Sequence, residues 1–144
     1  MKCRDVMTKY IKMCRPECTA KDAVQIMQEL NCGAVPVINE NNEIQGMVTD
    51  RDIALYTILN NKDPETTQVK EFMSKPVITC HPDDDIDIAI KKMRANKVRR
   101  LPIVDENNKV VGIISLGDIA VLSGEEHEVY EALENISEPV SSIK

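Results

Sequence analysis

The chain has 144 residues, a formal net charge of −6 and only 3% aromatic residues. A chain of this length buries about 70% of its unfolded surface. Because aromatic residues are scarce, aliphatic side chains must fill its core. Residues 123–144 hold six Glu and one Lys, a net charge of −5, which leaves −1 on residues 1–122. A nearly neutral body lacks the basic face that general nucleic-acid binding requires.

No apolar run is long enough to span a bilayer. Charged side chains at Lys12, Arg15 and Glu17 interrupt the apolar stretch near the N-terminus, so no signal peptide is predicted. Five cysteines, an odd number without a secretory signal, indicate reduced thiols. The sequence therefore predicts a soluble cytoplasmic protein without nucleic-acid or membrane partners.

Residues 6–55 align with residues 72–121 at a constant offset of 66 and without a gap. Identical residues hold the register throughout, among them Met7/Met73, Cys14/Cys80, Pro36/Pro102, Gly46/Gly112 and Asp52/Asp118. The chain is therefore two copies of one unit. We place the first repeat at residues 1–62, the second at 63–123, and an acidic C-terminal helix and tail at 124–144.

Each repeat predicts the order β-α-β-β-α, because apolar residues alternate between strand runs and helical spacing. The Asn-rich turn between the last two strands suits a tight hairpin, since Asn accepts a positive φ. The predicted strands are Ile11–Cys14, Val35–Ile38 and Ile44–Thr49, then Val77–Cys80, Leu101–Asp105 and Val110–Ser115. The helices that close the repeats are predicted at Asp50–Leu59 and Leu116–Leu122.

The acidic segment at Glu125–Asn135 reads as an amphipathic helix with Val129, Leu133 and Ile136 on one face. That face has two interpretations. It packs on the body of the protein, or it docks a partner or a second copy of the chain.

A short polar pattern ends each repeat: Gly, two apolar residues, a hydroxyl residue, two further residues and Asp. The hydroxyls are Thr49 and Ser115, and the acids are Asp52 and Asp118. A hydroxyl between a strand and a helix favours an anion, and the acid one turn later can accept hydrogen bonds from a ribose. Arg51 adds a fork-shaped donor for phosphate. The alternative is helix capping, because Thr-x-x-Asp is close to a capping box.

The repeated unit, the strands "VPVI" and "LPIV", and the segments "GMVTDRDIA" and "GIISLGDIA" resemble CBS domains, and the tandem resembles a Bateman module. The resemblance implies an α/β (α+β) fold of two CBS units packed about a pseudo-twofold axis, plus the C-terminal helix. It also implies a homodimer and two clefts that hold adenosine compounds.

The resemblance also assigns residues to the clefts, each of which draws on both repeats. The first cleft would use Thr49, Arg51, Asp52, Ile78, Thr79, Arg99 and Arg100. The second would use Ser115, Asp118, Lys12, Met13, Gly33, Ala34 and Val35. Because three arginines fall in the first set, we expect it to bind a phosphorylated adenosine more tightly. The second would be weaker or would prefer an uncharged adenosyl group.

Catalysis has little support, because the sequence has no Gly-rich phosphate loop and no Ser-His-Asp pattern. We therefore predict a standalone regulatory, energy-sensing module that is not an enzyme and requires no cofactor or metal. It would bind AMP, ADP or ATP ahead of S-adenosylmethionine and signal to an unknown protein effector in trans. Two alternatives stay open: a ligand-free structural dimerisation module, and a thiol or metal sensor built on Cys14, Cys18 and Cys80.

Overall fold

The computed structural model describes residues 1–9, 11–124 and 126–138. Its helices are α1 (Cys3–Val6), α2 (Ala20–Leu30), α3 (Asp50–Leu59), α4 (Ile86–Asn96), α5 (Leu116–Leu122) and α6 (Glu126–Ser137). Its strands are β1 (Ala34–Ile38), β2 (Ile44–Thr49), β3 (Arg100–Val104) and β4 (Val110–Ser115), and a 3-10 helix covers Val69–Glu71. Within the described ranges, none of the helices combines the length and apolar character needed to cross a membrane.

Two short hairpins form the sheets, as the repeated pattern predicts. β1 pairs with β2 in one antiparallel two-stranded sheet, and β3 pairs with β4 in another. Asn42 and Asn108 in the connecting turns have φ values of 63° and 65°, which confirms the reason for predicting tight turns there. The mixed α+β fold class is therefore confirmed.

The strands predicted at Ile11–Cys14 and Val77–Cys80 are wrong in extent. Each shrinks to a single parallel bridge, from Cys14 to Val37 and from Cys80 to Ile103. Cys14 N donates to Pro36 O at 2.9 Å, and Ile38 N donates to Cys14 O at 2.8 Å. To extend the bridge, Pro16 and Pro36 in the first repeat, or Pro82 and Pro102 in the second, would have to donate a backbone N–H. Proline has no backbone N–H, so the pairing stops after one bridge.

Packing divides the chain differently from the repeats. Among the described residues, one compact unit comprises 11–77 and 107–110, and the other comprises 1–9, 78–106 and 111–138. We call them the first-repeat unit and the second-repeat unit. The segment that leads into each repeat packs with the other repeat. Thr8 and Ile113 exchange hydrogen bonds of 2.8 and 3.0 Å in the second-repeat unit, and Ser74 and Met47 exchange bonds of 2.9 and 3.1 Å in the first-repeat unit.

Each unit has its own aliphatic core. The first-repeat core contains Cys14, Ala20, Ala23, Met27, Val35, Val37, Val48, Ile53 and Val69. The second-repeat core contains Cys3, Val6, Cys80, Ile86, Ala89, Ile90, Met93, Leu101, Ile103, Ile114, Leu116, Ile119, Val129 and Ala132.

Helix α6 belongs to the second-repeat core. Val129 and Ala132 are buried there, Ile136 packs against the same cluster, and α6 contacts both α4 and α5. Arg94 on α4 lies 3.6 Å from the carboxylate of Glu131. Packing on the body is therefore confirmed for Val129 and Ile136 of the predicted face, whereas Leu133 is 40% exposed. Docking of a partner or a second copy stays a prediction. Glu125 and residues 139–144 lie outside the described residues.

Candidate functional site

The hydroxyl–acid turns lie where the sequence predicts them, at the junction of a strand and a helix. Thr49 ends β2 and is the N-cap of α3, and Ser115 ends β4 and is the N-cap of α5. Thr49 Oγ1 accepts a hydrogen bond from Asp52 N at 3.0 Å, and Ser115 Oγ accepts one from Asp118 N at 3.0 Å. Capping by the hydroxyl is therefore common to both repeats.

The two acids differ in how they are engaged. Asp52 Oδ2 accepts a hydrogen bond from Thr49 N at 3.2 Å and completes a reciprocal capping box. The carboxylate of Asp118 accepts no hydrogen bond from any residue that the structure describes. Asp52 is thus already hydrogen-bonded to the N-terminus of its helix. Among the described residues nothing donates to the carboxylate of Asp118, whose oxygens can accept hydrogen bonds from a ligand.

This difference predicts unequal losses of stability. Asp52→Ala removes a charge-assisted hydrogen bond as well as a helix-dipole interaction, and we expect it to lower the free energy of unfolding by about 1–2 kcal/mol. Asp118→Ala removes only the dipole interaction, for which we expect about 0.5 kcal/mol. Urea unfolding of both variants and the wild type measures this difference. Equal losses would mean that Asp118 also closes a capping box in solution.

The start of a neighbouring strand contacts each turn. Leu116 N donates to Arg99 O at 2.9 Å in the second-repeat unit, and Asp50 N donates to Gly33 O at 3.0 Å at the equivalent place in the first. A Cβ added to Gly33 would lie 3.1 Å from Asp50 Oδ2. Asp50 therefore fills the corner of the first-repeat unit, whereas at the corner of the second Arg99 precedes β3 and Arg100 begins it.

A cavity of about 390 Å³ opens at the second-repeat corner. Its lining combines two arginines, the Ser115 hydroxyl and an aliphatic surface from α5 and α6. The lining residues are Arg99, Arg100, Ser115, Leu116, Gly117, Ala120, Val129 and Leu133. This combination of cations and apolar surface suits a compound that carries both an anionic group and an apolar body.

The two arginines that line the cavity reach solvent. Arg99 is exposed and Arg100 is half-buried. Neither guanidinium forms an ion pair or hydrogen bond with the residues in the described part of the chain. Guanidinium groups bind phosphate oxygens through paired donors, so the side chains at this corner suit a phosphate.

Other predicted residues are partly engaged elsewhere. Lys12 forms an ion pair with Glu29, which reduces its value as a phosphate ligand. The carbonyl oxygen of Thr79 accepts a hydrogen bond of 2.6 Å from Lys92 Nζ, and Ile78 is half-buried. Met13 is half-buried as well.

The structure thus groups the predicted residues by unit. It brings Arg99 and Arg100 of the first predicted set against Ser115 of the second. In the other unit, Gly33 lies beside the turn that begins at Thr49. Each predicted set draws on both units, so its completeness as a cleft stays a prediction.

Sequence reasoning missed the apolar half of the cavity. Ala120 on α5 and Leu133 on α6 were not predicted as site residues. The only signal available was the apolar face of α6, which did not reveal the surface that it would meet.

The cysteines of the alternative thiol hypothesis are mostly buried. Burial and the neighbouring Cys18 raise the pKa of Cys14 to about 12, so Cys14 is a neutral thiol at physiological pH. Cys80 lies in the second-repeat unit beside Cys3, and a hydrogen bond between their thiols raises the pKa of Cys3 and lowers that of Cys80. No group of three or more potential metal-ligating side chains occurs within residues 1–9, 11–124 and 126–138.

Known proteins share this architecture. CBS domain-containing protein YhcV of Bacillus subtilis is 40% identical over 134 residues, which cover 93% of this chain and 94% of the relative. The CBS domain pair of protein MJ0100, in complex with 5-methylthioadenosine and S-adenosyl-L-methionine, matches with a TM-score of 0.77 and 28% identity over 86% of this chain and 96% of that one. Hypoxic Response Protein I with two coordinated zinc ions matches with a TM-score of 0.79 and 29% identity, over 85% and 98% of the two chains.

The family model of the CBS domain matches twice, at residues 3–58 and 69–125. These two matches cover most of the chain and coincide with the two repeats. The chain therefore belongs to the CBS domain family and carries a tandem pair.

Proposed function

We propose that this CBS pair is a regulatory module, without catalytic activity of its own, that binds an adenosine nucleotide. The observation that carries the proposal is the cavity lined by Arg99, Arg100 and Ser115, because it places two guanidinium groups, neither of them paired with a residue that the structure describes, beside a hydroxyl. The complex of the MJ0100 CBS pair with two adenosyl compounds supports the adenosine part. The arginines support the phosphate part.

The charge of the cavity favours AMP, ADP or ATP over S-adenosylmethionine. Two guanidinium groups attract a phosphate and repel the sulfonium of S-adenosylmethionine. Ser115 Oγ accepts from the backbone of the helix, so its own O–H can donate to a phosphate oxygen. Asp118 lies on the same turn as Ser115 but is not among the residues that line the cavity. Its carboxylate, which has no hydrogen-bond donor among the described residues, would accept hydrogen bonds from ribose hydroxyls.

A second nucleotide position at Thr49, Arg51 and Asp52 is part of the proposal. In its own unit this turn has one arginine, and its Asp52 would have to exchange the hydrogen bond from Thr49 N for one from the ligand. Binding would shift the population of conformations that a protein effector recognises. We propose that the chain forms a homodimer and that the effector recognises this conformational change in the homodimer.

A thermal-shift series with AMP, ADP, ATP, GTP and S-adenosylmethionine tests the proposal. A ligand at 100 times its dissociation constant stabilises the native state by about 2.7 kcal/mol, which corresponds to several degrees at this chain length. We expect the largest shift with a phosphorylated adenosine, and its loss in Asp118→Ala or Asp52→Ala identifies the position that binds it. The absence of any shift at millimolar nucleotide would contradict the proposal.

A ligand-free structural module is the second candidate. The closed capping box of Thr49 and Asp52 favours it, because capping alone accounts for both residues in the first repeat. Under this candidate, all variants of the two turns change stability only.

A further inference from the structure

We propose that helix α6 determines ligand specificity in the cavity of the second-repeat unit, with Leu133 and Val129 forming the wall that receives the base. This inference rests on the nucleotide binding proposed above. It assigns α6 a role beyond packing, namely to distinguish a nucleotide from a phosphate or sugar phosphate that lacks a base.

The wall is continuous because its residues share helix faces. Leu116 and Ala120 are four residues apart on α5, and Val129 and Leu133 are four residues apart on α6, so each pair lies one turn above the other. All four side chains are aliphatic. Leu116 and Val129 are 5% and 9% exposed and form the base of the wall, whereas the exposed Ala120 and Leu133 offer most of the contact area to the flat face of a nucleobase. None of the four offers a side-chain hydrogen bond to its edge.

Helix α6, which carries Val129 and Leu133 of the wall, is held by packing against the core. Ala132 is fully buried and Val129 is 9% exposed, because α6 packs into the core through the face that adjoins the cavity. The ion pair between Arg94 and Glu131 adds a second attachment to α4. A preformed wall does not have to be ordered when the ligand binds, so its contact area contributes to affinity without that cost.

Among the described residues, the first-repeat unit has no helix that follows α3 in the way that α6 follows α5. Residues 60–72 form turns, an isolated bridge at Gln68 and the 3-10 helix Val69–Glu71. A base bound at the Thr49 turn would therefore have no equivalent of α6 among the described residues of its own unit. The two repeats would consequently differ in how strongly affinity depends on the base.

The size of the cavity is consistent with one base and one phosphate group. Its volume of about 390 Å³ lies near the lower end of the roughly 300–1,000 Å³ of small-molecule sites. Because the wall recognises shape rather than base edges, its removal should weaken AMP and GMP to the same degree.

Calorimetric titration of AMP, GMP and ribose 5-phosphate tests the role of α6. Leu133 is 40% exposed, so Leu133→Ala should preserve the fold and weaken AMP and GMP binding roughly fivefold to tenfold, with ribose 5-phosphate unchanged. Ala120→Leu, at an exposed position, should narrow the cavity and produce the same selective loss. Tyr130→Ala is the matched control, because Tyr130 lies on α6, is 66% exposed and does not line the cavity.

The outcomes separate the two proposals. If Arg100→Ala weakens all three compounds whereas Leu133→Ala and Ala120→Leu leave AMP unaffected, nucleotide binding stands and the role of α6 is wrong. If Leu133→Ala also weakens the binding of ribose 5-phosphate, Leu133 maintains the structure of the whole site rather than contacting the base. The inference is then overturned as well. If the wild type binds none of the compounds, the proposed function itself fails.

Discussion

Replacing both Arg99 and Arg100 with alanine is expected to weaken AMP binding by about 100-fold or more. Each guanidinium can donate charge-assisted hydrogen bonds to a phosphate, and such bonds contribute about 1.5–3 kcal/mol each. Two of them together correspond to roughly two orders of magnitude or more in the dissociation constant. Isothermal titration at constant ionic strength measures the loss.

The same double variant should fold as well as the wild type. Neither guanidinium has an ion pair within the described ranges, and substitutions at such positions usually change stability by less than about 0.5 kcal/mol. Lys91→Ala is the control, because it removes a positive charge from an exposed position on α4 that does not line the cavity. An AMP affinity that survives in the double variant but falls in Lys91→Ala would contradict the assignment of the phosphate to this corner.

Asp52→Ala and Asp118→Ala, each combined with Arg100→Ala, locate the adenosine. Residues that bind one ligand together show non-additive effects, whereas residues of separate sites add. Coupling between Arg100 and Asp118 is expected if the nucleotide lies at the second-repeat corner. Coupling between Arg100 and Asp52 would instead favour the first cleft as the sequence predicts it.

The sequence predicted most of the elements because two copies of the same pattern constrain each other. The bounds of β2, β4, α3 and α5 were correct to the residue. The positions of Thr49 and Ser115 at helix starts followed from the same pattern. Hydrophobic spacing and turn residues are local properties, and a single sequence contains them.

Other features depend on contacts that no local pattern encodes. Thr8 pairs with Ile113 rather than with its own repeat, and a periodicity argument cannot indicate which repeat receives a leading segment. The strand predicted at Ile11–Cys14 failed because its partner Pro36 lacks a donor, which only the register reveals. The apolar face of α6 was visible in the sequence, but the cavity that it lines with α5 was not.

The contrast between Asp52 and Asp118 shows the same limit within the site. Both acids occupy the same position of the same motif, so the sequence treats them as equivalent. The direction of one carboxylate decides which of them closes a capping box. The direction of such a side chain depends on the residues around the turn. These differ between the repeats, since Arg99 stands where the first repeat has Gly33.

Gly112→Ala is expected to lower the free energy of unfolding by about 1–3 kcal/mol, because the leading segment crosses the sheet at this residue. A Cβ at Gly112 would lie 2.8 Å from Met7 Sδ and 2.9 Å from the carbonyl oxygen of Thr8. The methionine can move, but the carbonyl is held by the bridge between Thr8 and Ile113. Thermal and urea unfolding measure the loss.

The other glycines provide a graded control. At Gly46, a Cβ would lie 2.8 Å from Met73 Sδ and 3.1 Å from the backbone oxygen of Ser74, so Gly46→Ala should cost less than Gly112→Ala. At Gly117 the nearest atom is Ser115 Oγ at 3.8 Å, and alanine should be neutral or stabilising by up to about 1 kcal/mol, since helices favour it over glycine. A Gly112→Ala protein as stable as Gly117→Ala would mean that residues 7–8 do not pack against β4 in solution. Residues 1–9 would then not belong to the second-repeat unit, which takes them from the start of the first repeat.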